Sequence, residues 1–66
     1  MKLELISSNC SSGPCPAVFK TDKNSFVVQG RLVPPDVLEQ LVLAQDETAV
    51  EIPSEIVEGL LAKLGR

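Results

Sequence analysis

Three of the five prolines in this chain, Pro34, Pro35 and Pro53, decide where extended backbone must stop. Proline has no amide hydrogen to give a β-ladder, yet its fixed φ suits the first turn of a helix. The stretches "VPPDVLEQL", Val33 to Leu41, and "IPSEIVEGL", Ile52 to Leu60, therefore read as one local device used twice. In each, an apolar strand ends, proline opens a helix, an acid meets the positive helix end, and apolar residues return to the sheet. Shared local constraints account for the echo without a duplicated functional motif. Its sharpest mismatch sets Gln40 against Gly59.

Clusters of Val, Ile and Phe between turn residues mark strands, and apolar residues three and four apart mark helices. The predicted order is β-β-β-α-β-α. "KLELI", Lys2 to Ile6, alternates as a short strand, and "SSNCSSGPCP", residues 7–16, is a loop of turn-forming residues. "AVFK", Ala17 to Lys20, and "FVVQGRLV", Phe26 to Val33, flank "TDKNS", whose Asp22 and Asn24 tolerate the left-handed backbone of a hairpin loop. In the longer strand Phe26, Val28 and Leu32 share a face with Gly30, and a glycine there marks a bulge or a close backbone approach. Val37, Leu38, Leu41 and Val42 make the buried stripe of the first helix. "TAVEI" is a last strand, reached by a connection just long enough for a right-handed parallel crossover. Ile56, Val57, Leu60, Leu61 and Leu64 make the stripe of the second helix, with Glu55 in its first turn and Lys63 and Arg66 near its negative end.

One domain is all that 66 residues allow, and a chain this short hides too little surface to be more than marginally stable. With two cysteines and no histidine, oligomerisation is the rescue its composition best permits. Phe19 and Phe26 are its only aromatics, so Val, Leu and Ile must build the core. The expected fold is α+β: a small, mainly antiparallel sheet of three or four strands with two short helices over one face. Apolar residues at both helix stripes and both faces of the long strand exceed what one small core hides, so a homodimer is expected. Candidate dimer or core contacts are Phe26, Val28, Leu32, Ile56, Leu60 and Leu64.

Charge is uneven: residues 1–33 hold four basic against two acidic side chains, and residues 34–66 hold two against seven. The acidic half repels phosphate and serves either as a solvated face or as a contact for a basic protein. As a contact it would use Asp36, Glu39, Glu51, Glu55 and Glu58, with Gly59 beside Ala62 either marking a place where another backbone packs closely or standing as a tolerated surface glycine. Lys20, Lys23 and Arg31 form a small basic patch, which lacks the interleaved aromatics and pervasive positive charge of a nucleic-acid surface. No apolar run approaches the length of a membrane span, and the apolar part of "MKLELISSN" is short for a signal peptide, so a soluble cytoplasmic protein is expected.

Catalysis finds little to work with: the chain has no His, Trp or Tyr and no glycine-rich phosphate cradle after a strand, so no catalytic residue and no cofactor is assigned. Cys10 and Cys15 allow three readings. Half a zinc site would need a symmetric dimer to complete four ligands. A disulfide would close a short loop, but a reducing compartment opposes it. Two free thiols, with Cys15 half-buried beside the second strand, is the default.

"CPAVFKTDKNSFVVQGRLV" followed by "ETAVEIPSEIVEGLLAKL" resembles the small regulatory proteins of actinobacteria, including the BldB-type developmental regulators, which partner helix-turn-helix repressors. The resemblance implies regulatory protein contact, with itself or with a cognate repressor. "GRLVPPDVLEQLVLAQDETAVEI", Gly30 to Ile52, is similar in part to the swapped-hairpin transcription factors and antitoxins of the AbrB and MazE kind. That likeness implies dimerisation by interleaved strands. The basic residues such proteins carry after the proline are here Pro35 and Asp36, and the loop glycine is absent from "AQDET".

The expected function is therefore a non-enzymatic, homodimeric interaction protein that modulates a DNA-binding transcription regulator. The alternatives are a dimeric DNA-binding regulator that uses Lys20, Lys23 and Arg31, and an antitoxin that neutralises a basic toxin.

Overall fold

The structure, a computed structural model, describes residues 1–10 and 13–65. The chain is α+β. Strands β1 (Leu3–Ser8), β2 (Ala17–Thr21) and β3 (Phe26–Gln29) form an antiparallel sheet in that order. A second sheet pairs β4 (Arg31–Leu32) with β5 (Val50–Glu51), also antiparallel. The helices are α1 (Pro35–Leu38) and α2 (Ser54–Leu64).

Side-chain chemistry fixes the β2–β3 hairpin. Asn24 takes a φ of 61°, and Thr21 closes the loop with its N–H to the Ser25 carbonyl at 3.0 Å and its hydroxyl 2.7 Å from that of Ser25. The Lys23 N–H donates to Thr21 Oγ1, so Thr21 is buried with its polar groups partnered. The first strand runs past its expected end, because Ser7 and Ser8 join β1 and leave the predicted loop. Its register slips between Leu5 and Ser7, a bulge that turns Ser7 inward.

The long strand expected from Phe26 to Val33 divides at Gly30, and its two halves belong to different sheets. A Cβ at Gly30 would stand 2.5 Å from the Glu51 carbonyl oxygen and 2.7 Å from Ile52 Cγ2. The close backbone approach read from the sequence is thus that of the end of β5, the strand paired with β4, and it leaves no room for a side chain. The crossover expected to be parallel is instead an antiparallel return, because α1 is too short to carry the chain over a sheet.

Both prolines act as helix N-caps in extended conformation, Pro34 at φ −66°, ψ 158° and Pro53 at φ −64°, ψ 150°. Beyond the caps the two helices diverge. The second runs for 11 residues and packs on β1 and, less extensively, on β2. The first ends after four residues, and its last turn tightens as Gln40 and Leu41 donate three residues back to Val37 and Leu38. Helices this short depend on tertiary packing, and α1 has no buried residue. The expected buried stripe is corrected accordingly: Val37 and Leu38 are half-buried, while Leu41 and Val42 are 43% and 101% exposed. Only α2 covers the sheet.

The core is small. Ala17, Val18 and Ile56 are its buried hydrophobic residues among those described, and Asp22 to Glu55 contains no buried residue at all.

Candidate interaction surface

Directly opposed residues on paired strands share a face. Ser7 opposes Val18 and Val18 opposes Val28, while Lys20 lies between Glu4 and Phe26. Helix α2 lies on this face, where Ser7 Oγ donates to the Ile56 carbonyl at 2.8 Å. Beyond the helix, Phe26 and Val28 are 42% and 43% exposed, and Lys20 Nζ stands 5.1 Å from the Phe26 ring centroid. The opposite face groups Leu3, Leu5, Phe19 and Val27 and carries no charge along the paired positions.

Cys10 and Cys15 are joined by a disulfide, their Cα atoms 6.3 Å apart, so the free-thiol expectation is overturned. Ser8 draws the loop ends together, its Oγ lying 3.1 Å from the Cys10 carbonyl and 3.0 Å from that of Pro16, with one proton to give. Gln29 Nε2 then donates to the Cys15 carbonyl at 2.8 Å and ties the loop to β3. With both sulfurs bridged, neither is a thiolate able to bind metal. The shallow hollow between bridge and sheet, lined by Leu5, Ala17 and Phe19, measures about 120 Å³, and a second, over the ends of β1 and β2, about 180 Å³. Ligand pockets start at roughly 300 Å³, so neither hollow accommodates a typical small molecule.

The expected acidic contact residues fall on two elements and one strand end. Asp36 lies in the first turn of α1 and Glu39 caps its end, Glu51 ends β5, and Glu55 and Glu58 lie on α2; all five are exposed. Asn9 Nδ2 holds Glu55 Oε2 at 2.9 Å. Ala62 is exposed, whereas Gly59 is half-buried and belongs elsewhere. A Cβ at Gly59 would stand 2.6 Å from Ser7 Oγ, so its close neighbour is a side chain of its own chain.

The expected dimer or core set divides in the same way. Ile56 is core at 1% exposure and Leu60 is half-buried, while Phe26, Val28, Leu32 and Leu64 are open, Leu32 to 84%. Val57, Leu61 and Leu64 form an open stripe on α2, 41%, 63% and 52% exposed. The sequence pattern undervalued Leu43, which is 39% exposed beside Leu41 and Val42. Nor do the three cations form one patch. Lys20 and Lys23 sit at the hairpin, but Arg31 lies in the other sheet, opposite Glu51.

No known protein family, curated protein or solved structure matches the chain. No helix among the described residues is long and apolar enough to cross a membrane.

Proposed function

We propose that this chain is a non-enzymatic, homodimeric interaction protein that modulates a DNA-binding transcription regulator by protein contact. One observation carries the reading: α2 buries only Ile56 and leaves Val57, Leu61 and Leu64 open beside Glu55 and Glu58. An apolar stripe with an acidic margin suits a partner whose surface is basic around a hydrophobic patch. DNA-binding regulators carry such basic surface, and the resemblance to small actinobacterial regulatory proteins adds the helix-turn-helix class. A cytoplasmic location belongs to the same reading, and it requires the Cys10–Cys15 bridge to persist against the reductants of that compartment.

Affinity capture from the native host, followed by titration of the purified partner, tests it. A partner with a DNA-binding domain is expected, bound more weakly as salt rises and roughly tenfold more weakly after Glu55→Lys with Glu58→Lys. A partner without such a domain, or binding unchanged by the double substitution, refutes the reading. Salt-dependent duplex binding by the chain alone, lost on Lys20→Glu with Lys23→Glu, would establish the direct DNA-binding alternative instead.

A further inference from the structure

The molecule exposes more surface than its mass warrants. A folded chain of 7.1 kDa should expose about 4,100 Å², yet this one exposes 5196 Å². The excess, about 1,100 Å², is comparable to the roughly 800 Å² that each partner gives to a standard stable interface. The radius of gyration agrees: it is 13.0 Å, where a compact chain of this length would have about 10.8 Å.

One contributor to this open surface is an arm, the segment from β4 through α1 to β5. It contains no buried residue, and the turn after α1 exposes Leu41, Val42 and Leu43 in succession. From Pro34 to Glu51 the arm carries five acids and no basic residue. An apolar surface of this charge needs an apolar seat with positive charge beside it. One face of the sheet has that at its β3 edge: Phe26 and Val28 stand open, with Lys20 over the Phe26 ring and Lys23 in the adjoining turn, while the acids of the same region, Glu4 and Asp22, lie on the β1 side of Lys20 and in the turn itself. The opposite face has exposed leucines but no charge along its paired positions.

We propose that the acidic arm of one copy docks its Leu41–Leu43 turn on Phe26 and Val28 of a second copy, beside Lys20, and that the second arm reciprocates. The contact is isologous, because arm meets sheet twice about a two-fold axis. It rests on the homodimer of the proposed function and assigns its surfaces, leaving the outer face of α2 for the regulator.

Light scattering on size-exclusion fractions of two variants tests the assignment. One carries Lys20→Glu with Lys23→Glu and makes the seat acidic; the other carries Glu39→Lys with Asp46→Lys and makes the arm basic. All four side chains are without a side-chain hydrogen bond among the described residues, and circular dichroism checks that each variant folds. Alone, each is expected to dimerise roughly tenfold more weakly than wild type. Mixed in equal amounts, they should form a heterodimer with both contacts restored, at an affinity near that of wild type. Dimers undiminished in both variants would place the interface elsewhere and overturn this assignment while leaving the homodimer standing. A wild-type monomer at micromolar concentration would overturn both, and weakened variants that fail to recover on mixing would overturn the pairing of arm with seat.

Discussion

Ser7 and Gly59 occupy one small space: the Ser7 hydroxyl, bonded to the Ile56 carbonyl, fills the room that a side chain at position 59 would need. This contact anchors α2 to β1 and joins the two ends of the chain. A β-bulge aims the serine, and a glycine in mid-helix admits it.

That arrangement sets the sign of a double-mutant cycle. Alanine at 59 gains about 1 kcal/mol of helix propensity but displaces a buried hydroxyl from its partner, a loss of about 1–3 kcal/mol. Gly59→Ala is therefore expected to be neutral or destabilising in the wild type. In a Ser7→Ala background, where the Oγ is gone, the same change should stabilise. Urea unfolding of the four proteins measures the coupling, and simple additivity would deny that the two positions compete.

The small core makes its members disproportionately important. Ile56 and Val18 are each 1% exposed, and Ile→Ala truncation in a core costs about 2–5 kcal/mol. Ile56→Ala is expected to abolish the cooperative thermal transition. Leu61→Ala, at an open position of the same helix, should change unfolding of the free chain by less than about 0.5 kcal/mol.

Gly30 marks where the chain passes from one sheet to the other, tight against the end of β5. Gly30→Val must push β5 away from the strand end, because the atom it strikes is backbone, and overpacking of this kind costs about 1–3 kcal/mol. Amide shifts should concentrate at residues 48–52 and leave the hairpin of Thr21 to Ser25 in place. Uniform shifts across the chain would contradict a local contact.

Closing the loop between Cys10 and Cys15 restricts the unfolded chain, an effect worth about 2 kcal/mol for a ring this small in the loop-entropy description. Reductant should lower the melting temperature, and Cys10→Ser with Cys15→Ser should match it while no longer responding to reductant. Thiol titration of the unreduced protein should find no free cysteine.

If the arm docks on a second copy, folding and association are linked, and the melting temperature must rise with protein concentration. A melting temperature independent of concentration would count against dimerisation.

Local chemistry was legible wherever a single residue type leaves few options. The prolines placed both helix starts, Asn24 marked the left-handed turn position, and Gly30 announced a close approach. Elements whose form depends on a partner were not legible. The apolar periodicity of Val37, Leu38, Leu41 and Val42 predicts a buried helix, but periodicity says only that a face is apolar, and this helix buries none of its residues. Gly59 read as a place for another backbone, whereas the group beside it is the Ser7 side chain, which lies far away in sequence and which nothing in its neighbours named. Compartment arguments opposed the disulfide, whereas chain geometry brings the two cysteines together through Ser8.

The sequence by itself determined the turns, the two proline caps, the antiparallel hairpin and the separation of positive from negative charge, because each rests on steric or charge properties that act over a few residues. Tertiary structure alone decided which of two near-identical strand–proline–helix units became a stable helix. Pro53 opens a helix that finds β1, with Ser7 to bond and Val18 on the face it covers, while Pro34 opens one that buries none of its residues. Burial supplies most of a short helix's stability, and burial depends on what the rest of the chain brings alongside.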